Sequence, residues 1–225
     1  MNVSKKYKTF FVDEKIVYII ICIVKIITIN LIFMFSELRK HIEKRIHLTD
    51  DEFDKCKIFF KHKILKKHQF LLNEDDVCRY IAYVNYGCLR KYKIDNKGSV
   101  HIIQFAISDW WISDLDSYLS GLPSIYNIDA LQDSELLLLD KSSREDLLIA
   151  CPKMERFFRQ IIEANYVSTH QRITDSLSSS AEERYLKFIK TYPKIFEIVP
   201  QNLIASYLGI TPQSLSRIRK ELSNN

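Results

Sequence analysis

The period of apolar and polar positions changes along the chain, and those changes divide it. From Phe35 to Phe60 the apolar residues Leu38, Ile42, Ile46, Phe53, Phe59 and Phe60 are spaced for short amphipathic turns, which predicts helix. Thr49, followed by Asp50, Asp51 and Glu52, is a helix start, because the carboxylates complement the positive end of the helix dipole. Between about Lys63 and Leu139 the chain reads instead as short runs rich in Val, Ile, Tyr and Phe. They are broken by Asn73-Glu74-Asp75-Asp76, Tyr86-Gly87, Asp95-Asn96-Lys97-Gly98 and Gly121-Leu122-Pro123, which predicts strands and turns. Asp95 to Gly98 is a hairpin turn joining Cys88–Ile94 to Val100–Phe105, and the succession predicts an antiparallel barrel or jelly roll. A short helix is expected at Ser113–Leu119, capped by Ser113 or Asp114. After Leu136–Leu139 the pattern is helical: Ser142 or Ser143 caps a helix through Ile149, Pro152 interrupts, and a long helix runs from about Lys153 to Leu177. Along it Met154, Phe158, Ile161 and Asn165 alternate at spacings of four and three, broadened by Phe157 and Ile162. Either the barrel covers that face or a second copy of the chain does, and an asparagine at a seam fixes register at a cost in stability.

Residues 16–35, IVYIIICIVKIITINLIFMF, carry three readings. The first is that the functional chain begins at Met34, whose sequence MFSELRKHIEKRIHLTDDEF is an ordinary amphipathic start, residues 1–33 being translated AT-rich sequence. The second is a membrane anchor, since about 20 apolar residues span a bilayer. Against it stand Asn30 and the central Lys25, the lysine costing about 2.5–3.5 kcal/mol on insertion. The third is a buried core helix. No small-residue cleavage site follows the run, which argues against a signal peptide.

Composition narrows the function classes. With 225 residues, 47% hydrophobic, 27% charged and only four glycines, the chain is folded, and its length favours two domains over one. A net charge of +5 permits nucleic acid or an anionic membrane as partner without choosing between them. The five cysteines, Cys22, Cys56, Cys78, Cys88 and Cys151, are scattered, with no pair at zinc or redox spacing, and indicate a reducing, cytoplasmic setting. Cys78, Cys88 and Cys151 read as small buried apolar residues. His62 and His68 lie among lysines and His101 stands alone in a strand, so no metal or other cofactor is expected. No nucleophile elbow, phosphate loop or paired-acid motif is present, which points away from an enzyme. Trp110 and Trp111 are read as core or interface anchors, with stacking on a ligand as the alternative.

The C-terminal stretch carries the most specific signal. Residues 200–222, PQNLIASYLGITPQSLSRIRKEL, read as two helices and a tight turn. Ile204, Leu208, Ile210, Leu215, Ile218 and Leu222 supply an inner face, and Ala205 is small where the second helix crosses. Gly209 supplies the positive φ that ends the first helix. Thr211 caps the second, with Pro212 at its first position. With Leu215, Ile218 and Leu222 inward, Gln213, Ser214, Ser216, Arg217 and Lys220 lie on the other sides, the arrangement of a helix that enters the DNA major groove. Gln pairs with adenine and Arg with guanine, whereas Arg219 and Lys220, with Thr and Ser hydroxyls, suit phosphates.

Barrel, long helix and helix-turn-helix in this order resemble the Crp/Fnr family of transcriptional regulators from about Phe35 to the end. SLSSSAEERYLKFIKTYP at 176–193 and IASYLGITPQSLSRIRKEL at 204–222 look like its short-winged Bacteroidetes-type members. The resemblance implies an α+β fold. It comprises a cyclic-nucleotide-binding-type, jelly-roll-like antiparallel β-roll at 34–152, a dimerisation helix at 153–180 and a helix-turn-helix domain at 181–225. Double-stranded DNA and a second copy are the implied partners, with RNA polymerase a further candidate and the small-molecule effector unidentified. The family's phosphate cassette carries a Gly-Glu pair and, about ten residues on, an arginine. Here Asp114 stands for the Glu, but Ser124 or Ile125 occupies the arginine position, which argues against cyclic AMP. The oxygen sensors' N-terminal cysteine cluster is missing as well. An effector pocket is expected near Trp110, Trp111, Asp114 and Ser124, and DNA contacts from Thr211, Gln213, Ser214, Ser216, Arg217, Arg219 and Lys220. Gln213 stands where many members have Glu, which shifts preference toward adenine. The alternative is a membrane-anchored sensor or interaction module that uses the roll without specific DNA binding.

Overall fold

The computed structural model describes residues 14–223, with side chains throughout that span except at 14–16, 20 and 22–32. Residues 1–13, Cys22, and most of the apolar run at 16–35 with its three readings therefore lie outside the described side chains. Among the described residues no helix is long and apolar enough to cross a membrane. Helix α1 (Glu14–Glu43) packs through its C-terminal end, where Met34, Leu38 and Ile42, one turn apart, are fully buried. Val17, Tyr18, Ile19, Ile21 and Phe33 are exposed. Helix α2 (Asp50–Lys57) begins at the expected Thr49 with a complete capping box: Glu52 N–H donates to Thr49 Oγ1 at 3.3 Å and Thr49 N–H to Glu52 Oε2 at 2.9 Å.

The strands are β1 (Lys61–Leu65), β2 (Phe70–Leu72), β3 (Tyr80–Tyr86), β4 (Cys88–Ile94), β5 (Val100–Ile107) and β6 (Trp110–Ile112), then, beyond helix α3 (Leu115–Ser120), β7 (Asn127–Ala130) and β8 (Ser134–Asp140). They form two antiparallel four-stranded sheets, ordered β1-β8-β3-β6 and β2-β7-β4-β5. The hairpin between β4 and β5 turns where expected: Asp95 Oδ1 accepts from the N–H groups of Lys97 and Ser99, both at 2.9 Å, and Gly98 takes a φ of 80°. Side-chain alternation sorts the residues. Ala82, Val84, Leu89, Ala106, Ile112, Ile128, Leu136 and Leu138 fill the space between the sheets. Tyr83, Leu137 and Leu139 face the opposite way into a second core with α1, α2 and the helices after β8.

Helix α4 (Lys141–Ala150) is capped by Asp140, not by Ser142 or Ser143: Ser143 supplies the N–H that Asp140 Oδ1 accepts at 2.8 Å. The end of strand β8 is thus the helix cap, and an aspartate in extended backbone outcompetes the serines already inside the first turn. Helix α5 (Lys153–Ser178) buries Met154, Phe157 and Phe158 in the second core. Farther on, Ile162, Tyr166, Ile173 and Leu177 form an exposed stripe with Asn165 beside it. The chain ends in α6 (Ala181–Thr191), α7 (Pro193–Ile198), α8 (Gln201–Tyr207) and α9 (Pro212–Ser223). These bury Tyr185, Phe188, Ile195, Ile204, Leu215 and Ile218 in a third core against the outer face of β4 and β5.

One polar node pins α1 to the roll. His41 is 5% exposed, and its Nε2 accepts from the Trp111 indole N–H at 3.0 Å. Its Nδ1 must then carry the proton given to Asp109 Oδ1 at 2.7 Å, which defines a neutral tautomer. Tyr83 and Lys44 also donate to Asp109, which holds a φ of 75°. The Phe157 ring meets the imidazole edge-on at 5.7 Å between ring centres. Burial pushes the His41 pKa below its ordinary value of 6.5; attraction to Asp109 opposes this, and Arg45 and Lys44 reinforce it. The unfolded chain therefore takes up this proton at higher pH than the folded one. The His41 contribution is fully present above 6.5 and is lost as pH falls from there toward the depressed folded value. Urea titrations at about pH 7.5 and 5.5 should show lower stability at the lower pH, and His41→Gln should flatten that difference; an unchanged slope in the variant would exclude this assignment.

Candidate nucleic-acid interface

The turn between α8 and α9 is built from backbone hydrogen bonds. Gly209, at a φ of 68°, ends α8; its N–H reaches Ser206 O at 3.1 Å, and Ile210 N–H reaches back to Ala205 O at 3.0 Å. This is a Schellman closure, which satisfies carbonyls that a helix end otherwise leaves open. Thr211 then caps α9: its Oγ1 accepts Ser214 N–H at 3.1 Å, and the two hydroxyls lie 2.9 Å apart. Ile204, Ala205, Leu208, Leu215 and Ile218 are buried between the helices, as the sequence pattern requires.

The outward face follows from this inward one. Gln213, Ser216, Arg217 and Lys220 recur at three- and four-residue intervals and are all exposed on α9. The other expected contact residues are placed differently. Thr211 is exposed, but its hydroxyl serves the cap together with Ser214, leaving Ser214 partly buried. Arg219 is exposed; burial raises the pKa of Tyr185 of α6, and the nearby Arg219 charge opposes the shift.

The residues expected to line an effector pocket do not all meet. Asp114 and Ser124, 5% and 2% exposed, are joined by a hydrogen bond from Ser124 Oγ to Asp114 Oδ2 at 2.7 Å. Asp114 stands at the N-cap position of α3 without a side-chain cap bond, its carboxylate being turned to Ser124. Trp111 goes elsewhere, to the α1–α5 core with His41, Tyr83, Phe157 and Phe158. Trp110 packs edge-on against Tyr192 of the C-terminal helices at 5.7 Å. Both tryptophans thus serve as anchors between elements.

Lys91 enters the neighbourhood unannounced. Two residues beyond the inward Leu89, it keeps the inward parity, donates from Nζ to Ser113 O at 3.1 Å and lies 5.2 Å from the centre of the Tyr126 ring. Burial lowers its pKa, and Asp114 opposes that shift. The signal available for it was its place two residues after the apolar Leu89, on the same side of strand β4. The Asp114 carboxylate therefore already has a hydroxyl donor and a nearby cation from within the chain.

Residues 62–150 match the family described as the cyclic nucleotide-binding domain. Comparison with curated proteins gives no match. Among solved structures, FixK2 from Bradyrhizobium japonicum is similar with a TM-score of 0.64 at 19% identity, over 73% of this chain and 85% of that one. The c-di-GMP-responsive global regulator CLP of Xanthomonas campestris is similar with a TM-score of 0.64 at 11% identity, over 78% and 92%. A protein assigned to the crp/fnr family of transcriptional regulators, from Eubacterium rectale, is similar with a TM-score of 0.59 at 15% identity, over 78% and 84%. The fold of the chain is that of Crp/Fnr-type regulators, with the antiparallel roll, long helix and C-terminal helices in the expected order.

Proposed function

We propose that the chain is a sequence-specific, homodimeric DNA-binding transcription regulator of the Crp/Fnr type, with a roll at 34–152, a dimerisation helix at 153–180 and a reader domain at 181–225. The observation that carries this reading is the exposed row Gln213, Ser216, Arg217 and Lys220 on a helix fixed by a Schellman turn and a threonine cap. Gln213 and Arg217 pair with base edges, and Lys220 and the flanking Arg219 hold phosphates. The exposed apolar stripe on α5 supports a dimer, since Ile162, Tyr166, Ile173 and Leu177 gain most by meeting their own copies across a two-fold axis. Two copies present two reading helices one helical turn, about 34 Å, apart. Cyclic AMP is not the effector on this reading: Ser124 or Ile125 stands at the position of the cassette arginine, and the Ser124 hydroxyl is committed to Asp114.

In a selection of sites from random DNA, the wild type should return a palindrome. Arg217→Ala should lose about 1–3 kcal/mol and relax one base position per half-site, whereas Lys220→Ala should weaken all sequences alike and lower the salt slope by about 1. Sequence-independent binding by the wild type, unchanged in Arg217→Ala, would sink the reading. Ile173→Glu should convert the dimer to monomer in sedimentation, and persistence of the dimer would place the interface elsewhere. Calorimetric titration with cyclic AMP should give no saturable heat; a saturating isotherm would show that Lys91 or another cation substitutes for the missing arginine.

A further inference from the structure

Strand β5 ends its sheet, so among the described residues one edge of its backbone has no strand partner. An open edge needs its N–H and C=O groups satisfied or covered. At Val100 and Ile102 the partner is a side chain: Ser206 Oγ donates to Val100 O at 2.6 Å and accepts from Ile102 N–H at 3.0 Å. A further group of the same edge, Ile102 O, lies 3.5 Å from Arg172 Nη1 of α5. The Arg172 guanidinium also stands 4.7 Å from the centre of the Tyr207 ring, which packs on Phe105 of β5 at 5.4 Å and on Phe188 of α6 at 5.5 Å.

None of this is required by the helix-turn-helix itself. Its inner face is Ile204, Ala205 and Leu208, whereas Ser206 and Tyr207 point away from α9 and toward the roll. Roll, long helix and reader domain therefore meet at one backbone site. Two residues farther along β5, Gln104 is paired in register with Lys91 and donates to Trp111 O at 3.1 Å. The same strand thus runs from the inward lysine beside Asp114 to the reader.

We propose that Ser206, with Arg172, is a positioning residue that latches the reader domain to the free edge of β5 and so sets the angle and spacing at which the two reading helices of a dimer are presented. The DNA half of this statement rests on the function proposed above. The apolar contacts between the domains hold them together but tolerate sliding and rotation; hydrogen bonds to two backbone groups of one strand have a single geometry. Loss of the latch leaves the base-reading side chains untouched and loosens only their placement.

The test separates those two effects. Spin labels on cysteines introduced by Lys97→Cys and Glu221→Cys report the distance between the β4–β5 hairpin and α9 in the full chain. The distribution should be narrow with Ser206, stay narrow in Ser206→Thr, which keeps the hydroxyl, and broaden in Ser206→Ala and Arg172→Met. In site selection the same Ala and Met variants should keep the half-site bases while preference for one half-site spacing over spacings one base pair longer or shorter falls about fivefold, the scale of one to two neutral hydrogen bonds. Equal distance widths in wild type and Ser206→Ala overturn the latch whatever the DNA result. Broadened distances with an unchanged spacing preference overturn its role in presentation. Failure of the wild type to select any site removes the DNA-binding proposal, and with it the presentation role, while the distances still decide the latch.

Discussion

A strand buried on both faces must serve two cores at once, and the architecture depends on β8 doing so. Its four leucines alternate sides: Leu136 and Leu138 fill the space between the sheets, and Leu137 and Leu139 meet α1, α2 and α5. Flanked by β1 and β3, the strand has no free edge and no solvated face. Its end supplies Asp140, the cap that starts α4, and α4 leads directly into α5. Burial of a leucine contributes about 1.5–3 kcal/mol, so a polar residue at any of the four positions opens one of two cores that share the same backbone. The position of the long helix relative to the roll is therefore set by hydrophobic burial on the outer face of one sheet, with His41 and Trp111 adding direction to it.

Electrostatics separate the interior from the exposed face of α9. Within the roll region the charges are matched locally: Arg90 forms a two-bond pair with Asp129 at 2.7 and 2.9 Å, and Asp114 has Ser124 with Lys91 nearby. Asp129 is 4% exposed, and an arginine pairing of this geometry is what makes a buried carboxylate tolerable. On α9 the pattern reverses. Arg217 and Lys220 are exposed and, among the described residues, carry no ion pair, whereas Lys187 on α6 is tied to Asp175. A charge left in solvent retains its hydration and its freedom to meet phosphate, and counterion release then supplies affinity without prior cost in a broken salt bridge.

Much of this was legible in the sequence where the determining contacts are local. Gly209, Thr211 and Pro212 specify the turn within a few residues, so α9 and its outward face follow from spacing alone. The β4–β5 hairpin is announced by Asp95 and Gly98 for the same reason, and the α2 start by Thr49 and Glu52. The sheet order β1-β8-β3-β6 was not legible, because pairing Lys61 with Leu138 is decided by cores rather than by neighbours in sequence. Nor was the cap of α4, where Asp140 also ends a strand. The expected meeting of Trp110 and Trp111 with Asp114 and Ser124 fails for a related reason: strand alternation sends Trp111 to the outer face of its sheet, to α1 and α5. Lys91 could be placed inward by parity with Leu89, but the groups that would receive its ammonium, Ser113 O and Tyr126, come from distant turns.

The third core shows why polar contacts matter at a domain boundary. Cys88, Tyr92, Ile102 and Phe105 of the roll and Tyr185, Phe188, Ile204 and Leu208 of the C-terminal helices bury one another, and that burial is nearly indifferent to small rotations. On the proposed function, a reader addressing two half-sites of a rigid duplex needs orientation fixed more tightly than burial alone fixes it. The directional contacts on the β5 edge are those of Ser206 and Arg172, while Lys187 to Asp175, and Arg184 to Leu208 O at 3.2 Å and Ser179 O at 2.6 Å, secure the junction of α5 with α6. Hydrophobic burial thus sets that the domains associate, and a small number of hydrogen bonds to backbone carbonyls and amides sets how. On the latch proposed above, an edge strand, ordinarily a hazard to be blunted, serves as the ruler against which α9 is aligned.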